Sequence, residues 1–161
     1  MRSRSRVTNH ASACNMPVEI DQQSLAFIRR HRVARMATVD AESQPMVVPV
    51  CYAFDGNHFY TPIDEKPKRV AAGDLKRVRN IKANSRVALV IDHYSEDWSE
   101  LSYVLVSGEA EILEPEAGNS EHARAVTLLR EKYQQYRSME IGQRPIIRIT
   151  PRRFKCWKPA A

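Results

Sequence analysis

At 161 residues the chain fits one domain around one hydrophobic core, and 43% apolar with 27% charged residues is ordinary for a folded protein. No apolar run approaches the roughly 18–20 residues of a membrane span, no secretory hydrophobic segment is evident, and three unpaired cysteines (Cys14, Cys51, Cys156) with five scattered histidines offer neither a disulfide framework nor metal-ligand spacing, so a soluble, cytoplasmic protein is expected. The net charge of +6 is local: residues 65–86 hold eight bases and two acids, whereas residues 87–121 hold nine acids and no Lys or Arg.

Residues 1–15, MRSRSRVTNHASACN, show no period and almost no large apolar side chain, so a disordered tail is expected before a domain spanning 16–161. The Arg-rich, acid-free tail resembles a transit peptide; a start at Met16 is the plainer alternative. EIDQQSLAFIRRHR predicts a short helix with Asp21 as N-cap and Leu25, Phe27 and Ile28 turned inward. VARMATVD (33–40), PMVVPVCYAF (45–54) and HFYTPI (58–63) predict a three-strand meander, with DGN (55–57) as a hairpin turn. DLKRVRNIKAN (74–84) predicts a helix capped by Asp74, with Leu75, Val78 and Ile81 on its apolar stripe and Lys76, Arg77 and Asn80 projecting away. A strand at 86–94, a polar loop and a long strand at 101–114 follow. NSEHARAVTLLREKYQQY (119–136) predicts a helix carrying Val126, Leu129, Tyr133 and Tyr136 on one face. RPIIRITPRRFKCW (144–157) predicts one or two strands broken at Pro151. Six or so strands with little helix and no βαβ alternation predict a mainly β fold, a closed antiparallel barrel.

The strand at 45–54 is apolar on both faces, which implies that neither meets bulk water. A helix, a second subunit or a flat ligand would cover the outer one, although a buried, bulged strand explains the same pattern. No nucleophile, phosphate-loop or metal motif occurs. DHYSED (92–97) is read as a solvated loop, and Trp98 beside it as either a packing residue or a stacking face. The basic segment suits a phosphate, for which Lys and Arg supply convergent donors and charge; a solvated basic helix face is the other reading. A nucleic-acid partner would need aromatics among those bases, and residues 65–86 contain none. No nucleic-acid or membrane partner is expected.

VARMATVDAESQPMVVPVCYAFDGNHFYT, followed by LKRVRNIKANSRVALVID and VSGEAEIL, resembles the pyridoxamine-phosphate-oxidase-like split barrel over roughly residues 20–157. DEKPKR…LKRVRNIKANSRVALVIDHYSEDW resembles its F420-dependent subgroup. The resemblance implies a six-stranded antiparallel split β-barrel and a homodimer, with F420 (alternatively FMN) in a groove between subunits and a small organic molecule as substrate. It places Val48, Pro49, Val50 and Cys51 along the ring system and Tyr60 and Thr61 near the phosphate-bearing chain. It gives Lys66, Lys68, Lys76 and Arg77 to the phosphate, and Trp98 and Tyr103 to the open side, Tyr103 reaching the ring from the second subunit. No catalytic side chain is implied, because the cofactor performs hydride transfer; a non-catalytic flavin- or heme-binding module of the same fold is the further alternative. Pyridoxamine phosphate oxidases carry a glutamine at the position of Tyr103 and a substrate-binding arginine near the C-terminus. This chain ends FKCWKPAA, which argues against vitamin B6 oxidation.

Overall fold

In the computed structural model, residues 20–63 and 75–159 are described. The expected tail (1–15), the Asp74 cap and the loop bases Lys66, Lys68 and Arg69 lie outside them. Ten elements follow in chain order: α1 (Gln22–Arg30), β1 (Val33–Val39), β2 (Pro45–Cys51), β3 (Ala53–Phe54), β4 (Phe59–Pro62), α2 (Lys76–Ala83), β5 (Arg86–His93), β6 (Ser102–Leu113), α3 (Ser120–Lys132) and β7 (Ile146–Trp157). The seven strands form one antiparallel sheet in the order β2-β1-β5-β6-β7-β4-β3. The sheet begins and ends on the same stretch of chain. Residues 45–51 pair with β1, and Ala53 and Phe54 pair with β4. Counted as one bent strand, 45–54 gives the expected six and closes the barrel.

Alternation along the strands fills the interior. Ala34, Met36, Val50, Leu89, Ile91, Val104, Val106, Ile147 and Ile149 are buried in one cluster, joined by Val78 and Ile81 of α2 and Ile28 of α1. Such alternation puts every second side chain on one face. The first helix obeys its predicted cap: the Asp21 carboxylate accepts the Ser24 amide at 2.9 Å and the Ser24 hydroxyl at 2.6 Å.

Four expectations are corrected. The strand predicted at 45–54 breaks at Tyr52, where the Tyr133 hydroxyl replaces a neighbouring strand. It accepts the Tyr52 N–H at 2.9 Å, and its proton lies between the carbonyls of Arg32 (2.6 Å) and Tyr52 (2.8 Å). The helix predicted at 119–136 ends at Lys132, with Tyr133 as its C-cap and Tyr136 in a following 3₁₀ turn; Tyr133 thus serves the barrel rather than a helical stripe. Asn80 does not project outward: it is buried, and its amide donates to the buried Thr38 hydroxyl at 3.0 Å. A carboxamide on an apolar stripe needs such a partner. The last strand is continuous through Pro151, because a bulge opposite Ser107 and Gly108 absorbs one residue of β7. Gly108 is required there, since a Cβ would lie 2.5 Å from the Thr150 carbonyl oxygen.

The two halves of the outer surface differ. Over β3, β4 and β7, α3 and the turns after it bury Ala53, Tyr60 and Ile146 against Ala125, Leu129 and Tyr136. Over β2, β1, β5 and β6, the register aligns Val47, Ala37, Ala88 and Ser107 in one row and Pro49, Arg35, Val90 and Leu105 in the next. No described helix covers these rows. Val47 is 62% exposed, so of the three covers expected for the outer face of β2 the described helices supply none. Among the described residues no helix is long and apolar enough to cross a membrane.

Candidate functional site

The open face of β2 and the first turn of α2 meet at the β1–β2 turn. Asp40 accepts the Gln44 amide at 2.8 Å and pairs with the Lys76 ammonium at 3.3 Å. The Gln44 amide, with Lys76 beside it, holds the Asp40 carboxyl below its usual range. This pairing pins the start of α2 next to Pro45, the first residue of β2. The N-cap of α2 is Leu75, whose apolar side chain gives the first turn no hydrogen bond. The first N–H groups of a helix carry a partial positive charge that favours an anion. Lys76 and Arg77 stand on that turn.

The predicted ring wall divides by strand alternation. Val48 and Val50 pack into the core, so only their backbone faces outward. Pro49 is exposed and Cys51 half-buried on the outer side, in line with Val47. The predicted phosphate-side pair is buried on both faces of its strand. Thr61 is buried. Tyr60 is buried under α3, where its hydroxyl lies 2.9 Å from Glu121 Oε1 and 3.1 Å from Asp55 Oδ2, and accepts from Arg124 at 3.1 Å. Burial, with Glu121 next, pushes the Tyr60 phenol well above its usual range. Two carboxylates around that hydroxyl oppose an anion there, and the Tyr60 backbone is paired with Ala53 on one side and Arg148 on the other.

Trp98 and Tyr103 sit at the far end of the molecule's open face. Trp98 is 72% exposed in a 3₁₀ turn (Trp98–Glu100) whose cap, Asp97, accepts the Ser99 amide at 2.9 Å. The acids of the predicted solvated loop are engaged locally: Glu96 accepts from the Tyr94 hydroxyl and Glu100 from the Ser95 hydroxyl. Tyr103 stacks on Trp157 with ring centroids 5.7 Å apart and planes 16° from parallel. Trp157 was not singled out from the sequence; only its cross-strand register with Tyr103 reveals the stack. The structure therefore places Lys76 and Arg77 by the β1–β2 turn, where β2 begins, and Tyr103 toward the opposite end of the strands. Among the described residues no group of three or more His, Cys, Asp or Glu is placed to hold a metal ion.

A second residue missed from sequence is Lys132. Its buried ammonium has no hydrogen-bond partner among the described residues and lies 3.9 Å above the Tyr52 ring. Burial, helped by the Arg32 charge, lowers its pKa to about 8. The folded value is below the unfolded one, so between about pH 8 and the ordinary lysine value near 10.5 the unfolded chain binds more protons and this group's contribution to stability rises with pH. Lys132→Met is accordingly expected to stabilise the fold at pH 7 by on the order of 1 kcal/mol after discounting for solvent screening. The gain should vanish by about pH 10.5, as read from paired thermal melts across that range.

Comparison with known proteins agrees with this architecture. The 5a,11a-dehydrotetracycline/5a,11a-dehydrooxytetracycline reductase of Streptomyces rimosus is 26% identical over 137 residues, which cover 84% of this chain and 81% of the relative. The heme storage protein of Vibrio cholerae superposes with a TM-score of 0.66 at 13% identity, covering 88% of this chain and 95% of that one. A solved structure described as an F420 reductase superposes with a TM-score of 0.62 at 21% identity, covering 84% and 98%. These identities speak for a shared fold. The match to the pyridoxamine 5'-phosphate oxidase family model runs from residue 20 to residue 158, through every strand and helix described above, and the chain belongs to that family.

Proposed function

We propose that this protein is a homodimeric split-barrel oxidoreductase that binds the deazaflavin F420, with FMN as the alternative, and reduces a small organic substrate. The observation that carries the reading is an apolar, outward-open strand face (Val47, Pro49) leading to the half-buried Cys51, on a strand that begins beside the cationic start of α2. A flat ring on a phosphate-bearing chain matches that sequence of surfaces. The fit holds on donor chemistry too: Lys76 and Arg77 supply charge and N–H donors for phosphate, and Pro49 and Cys51 supply a surface that excludes water. Lys66 and Lys68 belong to the same proposal as further phosphate partners. The bound deazaflavin or flavin supplies the hydride chemistry; the chain binds, orients and desolvates. The reductase named among the relatives and the F420 reductase fold support this reading.

The uncovered rows over β2, β1, β5 and β6 support the homodimer. A face of Val47, Ala37, Ala88, Val90 and Leu105 loses contact with water when a second copy packs on it, and an interface of this kind is isologous. The test is the visible spectrum and mass of the ligand that co-purifies from the native host, followed by titration of emptied protein. One deazaflavin-type band is expected, whereas a two-band flavin spectrum would favour FMN. Binding of neither cofactor sinks the reading, and binding without turnover over a panel of acceptors reduces it to a carrier.

A further inference from the structure

At the end of the barrel where β6 begins and β7 finishes, α1 stands off from the strand ends and leaves a cleft of about 590 Å³. This lies within the roughly 300–1,000 Å³ typical of small-molecule sites. The Tyr103–Trp157 stack forms one wall, and Phe27 of α1 lines the cleft with it. Trp157 is 42% exposed, so its ring is not consumed by packing. Rings nearly parallel to one another extend naturally by a third flat partner, because offset stacking is the favoured arrangement of aromatic faces.

The polar rim narrows the ligand further. Arg30 and Lys158 both line the cleft. Arg30 lies over the Phe27 ring at 5.9 Å, and Lys158 donates to the neutral Gln23 side chain at 2.6 Å. Neither is paired with a carboxylate among the described residues, and the Asp21 and Glu100 carboxylates on the same rim are hydrogen-bonded to Ser24 and Ser95. A guanidinium and an ammonium that can donate to oxygen, beside a flat aromatic wall on a rim of balanced charge, select a planar, fused-ring molecule with an oxygen-rich edge.

We propose that this cleft is the substrate site, and that the substrate class is planar fused-ring compounds bearing an oxygen-rich edge. Calling the ligand a substrate rests on the oxidoreductase reading; the binding itself does not. Trp98 and Trp157 are the two tryptophans of the chain, so Trp98→Phe leaves Trp157 as sole reporter. Anthraquinone-2-sulfonate added to that cofactor-free protein should quench its fluorescence saturably. By calorimetry, Trp157→Leu should weaken binding about tenfold, Trp157→Phe should restore it to within about threefold, and Arg30→Gln should weaken it about fivefold.

Camphor-10-sulfonate, with the same charge but no flat face, should bind at least about tenfold more weakly to the unmutated protein. This comparison needs no variant to fold. Non-saturable quenching, equal affinity for the two sulfonates, or unchanged affinity in folded Trp157→Leu would each overturn the assignment. Protein that binds the probe but neither F420 nor FMN sinks the oxidoreductase reading alone; protein that binds cofactor but not the probe sinks this one alone.

Discussion

Replacing Lys76 and Arg77 together with alanine is expected to weaken F420 or FMN binding by roughly 100-fold or more. Each is a donor to a charged phosphate in the proposed complex, and hydrogen bonds to charged groups contribute about 1.5–3 kcal/mol apiece. The fold should survive. The Lys76–Asp40 pair is solvent-exposed on the lysine side, with side-chain exposures of 46% and 18%, and an ion pair of this kind is worth under about 1 kcal/mol. Lys82→Ala, which removes one positive charge from the last turn of the same helix, is the control and should leave the dissociation constant unchanged. Fluorescence titration gives the affinities, and size-exclusion chromatography with a thermal melt checks that oligomeric state and fold are unchanged. Equal loss in the control would mean that only net charge matters, and no loss in the double variant would make the basic segment a solvated surface.

The largest effect on stability is expected from Tyr133→Phe. The substitution leaves the ring in place and deletes one oxygen that serves three backbone groups across 81 and 101 residues of sequence. The Tyr52 amide and carbonyl lie at a break in the sheet, where no strand can replace the lost partner. Buried groups stripped of a hydrogen-bond partner cost about 1–3 kcal/mol each, so a loss of roughly 2–4 kcal/mol is expected. For a chain of this size that corresponds to a melting temperature lower by about 5–15 °C, measured by calorimetry or circular dichroism. A drop no larger than that of an exposed Tyr94→Phe control would show that water substitutes for the hydroxyl.

These two predictions also show what could be read from the sequence. Strand positions were legible because apolar alternation is a local signal: the stripes of β1, β5 and β6 and the Asp21 cap depend on neighbours within a few residues. Tyr133 was legible only as a large apolar residue at helical spacing, since its function lies in a hydroxyl reaching backbone far away in sequence. Asn80 was misread for the same reason, because its partner Thr38 sits on another element. The basic start of α2 was visible as a charge cluster. That it adjoins the open face of β2 through Asp40, and that Trp157 meets Tyr103, are consequences of strand register, which local pattern does not contain.

The two prolines of β2 carry a consequence for how anything can approach that edge of the sheet. Pro45 and Pro49 lie within a ladder to β1 that runs unbroken from Val33↔Cys51 to Val39↔Pro45. Their missing amide hydrogens are therefore missing from the other side, the outermost rim of the sheet. An added strand needs a regular row of donors to zip onto, and this rim is depleted of them. Another chain cannot easily join by continuing the sheet edge to edge, and neither can an aggregating copy of the same one. What reaches this strand must lie flat across its face, and a flat face is what a ring or a symmetric subunit contact requires.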